Sequence, residues 1–228
     1  MKNLAIFILL PGIYTAQVKT ELEVFNNSRG SVFDVTNTNF KSYEGIDGSP
    51  YFSETFSPIK IEGYNKFLPN LRYNAYEDEM EFKADNVLNY VVKAGEMSIY
   101  FTDLNKTYVL KKYTLDGKPI NGYLVELVEG KKGISLLKKE SKHIVEYNNN
   151  TTNTYLKEKN PAFQAVKDIL IISIGENYYR IPKNLKELKS LSEQNNIDIN
   201  KVEDFVRKNK INFNREKDLV TLINYINS

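Results

Sequence analysis

Apolar and polar residues alternate through 96–102, where Met97, Ile99 and Phe101 are interleaved with Ser98, Tyr100 and Thr102. A period of two is the mark of a strand with one packed face and one partly wet face. The pattern returns at 108–115 and stops at Asp116-Gly117-Lys118-Pro119, a sequence that favours a turn. It resumes at 122–128, with Tyr123, Val125 and Leu127 on one face. After Glu129-Gly130-Lys131-Lys132-Gly133 it continues at 134–138 and 143–147. Strands recurring about every 10 to 15 residues with turn residues between them predict an antiparallel meander. No glycine-rich strand-to-helix crossover interrupts the series, which argues against a parallel α/β sheet. The expected class is mainly β: an open sheet or partial barrel.

The rest of the chain divides by pattern. The polar stretch 148–153 reads as a loop, and 161–166 as a short helical turn. The run Ile169 to Ile174 is apolar at nearly every position, as expected of a strand covered on both faces or by a helix. Residues 175–177 offer a three-residue hairpin into a strand at 178–181. Past Pro182 the period lengthens. Leu185, Leu188 and Leu191, then Val202, Phe205 and Val206, then Leu219, Leu222, Ile223 and Ile226 each draw one apolar stripe on a short helix. Stripes of that length must pack on something. The expected organisation is a signal peptide at 1–16, an antiparallel β domain at 17–182 and a helical subdomain at 183–228.

The leader is read from Lys2, the apolar stretch Leu4 to Leu10, the break at Pro11-Gly12 and the small Ala16 before Gln17. The stretch is shorter than the about 20 apolar residues a membrane-spanning helix needs. Export to the periplasm or the extracellular space is therefore expected, with no transmembrane segment in the mature chain. The chain has no cysteine, so thiol chemistry and disulfide staples are unavailable and the core alone must hold the fold. The charges nearly cancel, 31 basic against 29 acidic residues, which leaves no field suited to nucleic acid. No cofactor is expected.

Candidate sites cluster in 71–82. Glu77, Glu79 and Glu81 would share one face of a continuous strand, opposite Asp78, Met80 and Phe82. Paired carboxylates about 5 to 10 Å apart could serve a glycoside hydrolase. Three acids on one face also make a solvated strand surface, and a calcium site would need six or more oxygens. Arg72 falls on the apolar side of that pattern and so needs a carboxylate or carbonyl partner. Arg72, Tyr73, Tyr76 and Asp78 are the candidate binding residues, and no catalytic residue is assigned. The one histidine, His143, alternates with Val145 and reads as a half-buried sheet residue. Without a G-x-S-x-G elbow, a serine triad is disfavoured. The sixteen tyrosines suit a pleated, half-wet surface and leave room for glycan or peptide recognition.

The blocks Gly48-Ser49-Pro50-Tyr51, Phe56, Pro58 and Leu71-Arg72-Tyr73-Asn74-Ala75-Tyr76-Glu77-Asp78-Glu79-Met80-Glu81 carry a resemblance. They are similar to a group of uncharacterised exported proteins of flavobacterial type, in which a GSPY…F-x-P strand precedes an R-Y-N-A-Y-x-D-E-M-E strand. In that group a basic helical tail closes the chain and a glutamine often follows the leader, as Gln17 does here. The resemblance implies compartment and lineage but no activity. The expected role is a non-enzymatic scaffold or interaction module of the bacterial envelope, with the C-terminal helices as a possible contact for an envelope protein. The alternatives are a glycan- or peptide-binding protein and a carboxylate-dependent glycoside hydrolase.

Overall fold

A computed structural model describes residues 35–36, 42–61, 68–84, 86–130, 133–147, 159–195 and 197–228. The leader expected at 1–16 lies outside the described residues. The early strands are β1 (Val35–Thr36), β2 (Ile59–Lys60), β3 (Arg72–Asn74), β4 (Glu79–Ala84) and β5 (Val87–Val91). The meander follows as β6 (Met97–Phe101), β7 (Lys106–Leu115), β8 (Lys118–Val128) and β9 (Ile134–Lys139). Next come β10 (Lys142–Val145), β11 (Ala162–Ala165), β12 (Ile169–Ile174) and β13 (Asn177–Arg180). Three helices end the chain: α1 (Leu185–Gln194), α2 (Ile199–Asn209) and α3 (Glu216–Ile226). The expected class is borne out: antiparallel sheets that stay open, then short C-terminal helices.

Among the described residues the strands form a seven-stranded sheet, β13-β12-β9-β8-β7-β6-β2, a four-stranded sheet, β1-β5-β4-β3, and the ribbon β10-β11. The β7–β8 hairpin turns on Asp116 and Gly117, both at positive φ of 52° and 75°. Glycine reaches that left-handed region without strain. The β12–β13 hairpin is tighter than the sequence suggests. Ile174 pairs with Asn177, leaving only Gly175 and Glu176 in the turn.

One face of the large sheet carries two different covers. Over β6–β8 lies the four-stranded sheet, whose Tyr73, Met80, Phe82 and Val91, with Leu71 just before β3, close on Ile99, Phe101, Tyr108, Leu110 and Tyr123. Over β8, β9 and β12 lie the helices, with Leu191, Leu219 and Ile223 against Val128, Ile134, Leu136 and Ile172. Leu188, Val202, Val206 and Leu222 join the helices to one another. The apolar stripes of the tail are thus satisfied inside this chain. On the opposite face the sheet curls, so that Tyr178 of β13 meets Tyr113 of β7 with ring centroids 5.2 Å apart. Val109, Leu124, Leu137 and Ile171 fill that hollow. Because Leu219 is fully buried, Leu219→Ala is expected to cost about 3 kcal/mol, a loss that chemical denaturation can read directly.

Three sequence expectations are corrected. Residues 162–165 are the strand β11, not a helical turn, because Lys142 to Val145 pair with them residue for residue. His143 is exposed rather than half-buried, since it pairs with the exposed Gln164 on the wet face of the two-stranded ribbon. Residues 71–82 are not one continuous strand. Asn74 pairs with Glu79, and residues 75–78 form the loop of a hairpin.

Candidate functional site

That hairpin sets up the polar chemistry of the molecule. The Asn74 side chain accepts hydrogen bonds from the amides of Tyr76 and Glu77, at 3.1 and 3.0 Å, folding the chain over itself. Asp78 completes the reversal at φ 59°. The acidic face expected at Glu77, Glu79 and Glu81 therefore does not form. Glu81 lies beside Arg72 in the β3–β4 ladder and is only 1% exposed.

Glu81 gathers the first of three polar clusters that are wholly or partly withdrawn from water. It accepts from Arg72 Nη2 at 2.6 Å, from Arg72 Nε at 3.2 Å and from Asn74 Nδ2 at 2.8 Å. The Tyr51 hydroxyl donates to it at 3.0 Å and accepts from Arg72 Nη2 at 2.7 Å. The guanidinium lies over the Tyr51 ring, 3.6 Å from its centroid, with Phe56 at 4.4 Å. Its Nη1 donates to the Glu54 carbonyl at 3.2 Å. The inward Arg72 thus has the carboxylate and carbonyl partners its position demands.

Asp78 gathers the second cluster, in the seam where β9 leaves β8. Val125 still pairs with Lys138, but the Tyr123 amide beyond that pair donates to Asp78 Oδ1 at 3.3 Å. The same oxygen receives the Tyr73 hydroxyl at 2.7 Å and Lys139 Nζ at 2.5 Å. Lys93 Nζ stands 3.3 Å from Oδ2 and also 3.3 Å from Glu79. Burial pushes the Lys139 amine below its ordinary pKa, against the pull of Asp78. Burial pushes Glu79 up, with Lys93 opposing. Gly122 makes the approach possible, because a Cβ there would lie 2.3 Å from Asp78 Oδ2.

Glu140 gathers the third cluster. Lys106 Nζ is 3.1 Å from both of its oxygens, the Tyr108 hydroxyl donates at 2.9 Å, and Lys138 stands at 3.4 Å. Burial, then the Glu140 charge, drives the Tyr108 hydroxyl far above its ordinary range.

The four candidate binding residues are therefore dispersed. Tyr73 and Asp78 bond to each other, and Arg72 turns to Glu81. Tyr76 packs edge-on against Tyr43 and Phe163. Arg72 and Tyr73 also line a hollow of about 210 Å³ with Phe101 and Tyr108. Lys93, Lys106, Lys139 and Glu140 carry no sequence signal of their own, since none stands in a motif and their partners are remote in the chain. Among the described residues no group of three or more His, Cys, Asp or Glu side chains is placed to hold a metal ion. No described helix is long and apolar enough to cross a membrane.

A larger concavity than that hollow lies elsewhere. A groove of about 1110 Å³ runs between the β7–β8 hairpin and β13, lined by Lys111, Tyr113, Asn121, Glu176, Tyr178 and Tyr179 among others. A second hollow of about 370 Å³ shares Asp116, Tyr178 and Tyr179 with it and runs on toward α1. The Arg180–Asp116 pair, at 2.7 Å, stands on this track. No protein-family model, curated protein or solved structure matches this chain, so its function must be argued from this geometry.

Proposed function

We propose that this chain is an exported protein of the bacterial envelope that works as a non-enzymatic scaffold or interaction module. The single observation that carries this reading is how the acids are used. Glu81 is engaged by Arg72, Asp78 by Lys139 and Lys93, and Glu140 by Lys106 and Lys138. Each cluster ties elements together, and none presents a pair of carboxylates to an open cleft. The leader-like N-terminus and the resemblance of residues 48–82 to exported proteins support the compartment. An envelope partner meeting the C-terminal helices would meet their outward faces, since the apolar stripes face the sheet and one another.

The groove favours a second reading, in which the module grips a glycan or peptide chain. Its two connected hollows make an elongated track, and tyrosines beside amide and charged side chains suit a polar polymer. The test is a thermal-shift panel of envelope glycan fragments and unstructured peptides on the full chain. One class should raise the melting temperature, and Tyr178→Ala should abolish that rise. A flat panel, or a rise that survives Tyr178→Ala, would remove the groove from the account. Release of reducing sugar from any of the glycans would overturn the non-enzymatic reading.

A further inference from the structure

The Asp78 cluster holds an amine against a carboxyl group in a way that an ordinary surface ion pair does not. Three features fix the acid. Its backbone is locked at φ 59°, its Oδ1 is bonded to the Tyr73 hydroxyl and the Tyr123 amide, and Gly122 leaves just enough room for Oδ2. The amine is fixed as well, since Lys139 Nζ contacts Oδ1 at 2.5 Å and the Tyr123 carbonyl at 3.2 Å. Both side chains are largely withdrawn from water, with 17% of Lys139 and 22% of Asp78 exposed. A second cation, Lys93, faces the other carboxyl oxygen at 3.3 Å.

We propose that Lys139 and Asp78 condense into an intramolecular amide that ties β9 to the β3–β4 loop. The atoms balance without any co-reactant. One proton passes from the Lys139 ammonium to Oδ1 along their contact. The neutral Nζ then attacks Cγ, a C–N bond forms, and the displaced electron pair settles on Oδ2 beside Lys93. The C–Oδ1 bond breaks as the nitrogen gives up a second proton, and Oδ1 leaves as water. Tyr73, already donating to Oδ1, assists that departure. An ammonium and a carboxylate thus become one amide and one water.

In bulk water the hydration of both ions opposes this step. In the seam that hydration is reduced, and burial already weakens the hold of Lys139 on its proton. From this contact, a rotation that aligns Nζ on Cγ would supply the effective concentration on the order of 10⁵ M or more that near-attack geometry gives. The bond would join positions 61 residues apart in a chain without cysteine, supplying the covalent staple that disulfides would otherwise give.

The test is mass spectrometry of the folded, full-length protein with peptide mapping. The expected result is a branched species joining the Asp78 and Lys139 peptides, lighter than their sum by one water. Asp78→Ala and Lys139→Arg should each give linear peptides only and a lower melting temperature. Lys139→Arg keeps the charge beside Asp78, so it remains informative where Asp78→Ala fails to fold. Lys93→Met should leave a larger linear fraction. Linear peptides in full yield from folded wild type would overturn the proposal, and so would a branch that persists in Lys139→Arg.

Discussion

Above pH 10 this protein is expected to lose stability steeply and to unfold near pH 11, with the tyrosinate absorbance of its buried phenols rising in one cooperative step. The reason is the number of phenols sealed in the two packed hollows. Tyr73, Tyr108, Tyr113 and Tyr123 are each at most 6% exposed. Burial pushes Tyr113 up to about 12 and the other three further still. Negative charges add to this, Asp78 at Tyr73, Glu140 at Tyr108, and Glu79 and Asp78 at Tyr123.

A folded pKa raised above the unfolded value means that the native state holds protons the unfolded chain has released. The stabilisation is complete below pH 10 and drains away as pH climbs toward the folded values. One unit above the unfolded pKa, each such phenol costs about 1.4 kcal/mol, so four cost about 5.6 kcal/mol. That is a large part of the about 5 to 15 kcal/mol that holds a typical domain together. Lysines held below their ordinary value, such as Lys142, act in the opposite sense but only up to their unfolded pKa of 10.5. The Tyr123 hydroxyl is buried without a hydrogen-bond partner among the described residues, so Tyr123→Phe should not weaken the fold at neutral pH. It should also make the alkaline decline shallower by one residue's share. Smooth titration of Tyr73, Tyr108, Tyr113 and Tyr123 near pH 10 while the fold persists would contradict the whole picture.

How much of this could be read from sequence follows from the range of the interactions. The meander β6–β9 was legible because alternation and turn residues are local, and Asp116-Gly117 states its hairpin outright. The helices were legible from their leucine spacing for the same reason. The β3–β4 hairpin was not, because its reversal uses no glycine or proline. It rests on the Asn74 side chain and on Asp78 in a conformation that a non-glycine residue visits at a cost. Missing that turn put Glu81 on a wet face and left Arg72 without its partner. The strand at 162–165 was hidden too, since Ala162 to Ala165 lack strand-forming residues apart from Phe163 and are set by pairing with β10. Lys139 and Glu140 look like an ordinary charged strand end, and only the fold brings Asp78 and Lys106 to them.

Glu81→Ala is expected to be the most damaging single substitution in the polar clusters, lowering stability by about 4 kcal/mol, because it strands a buried charge. Arg72 is 14% exposed, and without Glu81 its guanidinium keeps only the Tyr51 hydroxyl, the Glu54 carbonyl and two ring faces. The Asn74 amide would lose its 2.8 Å acceptor as well. Glu81→Gln keeps the shape and one acceptor oxygen, so its cost should be smaller, about 2 kcal/mol. Replacing both partners, Arg72→Met with Glu81→Leu, removes the two charges together and should restore much of what Glu81→Ala loses. The free energies of wild type, Arg72→Met, Glu81→Leu and the double variant, from urea unfolding, give the coupling directly. A coupling near zero would mean that the Arg72–Glu81 pair is incidental to the hairpin. A coupling of several kcal/mol would place it as the lock that fixes the register of β3 against β4 and, through Tyr51, holds the residues 48–57 segment to the four-stranded sheet.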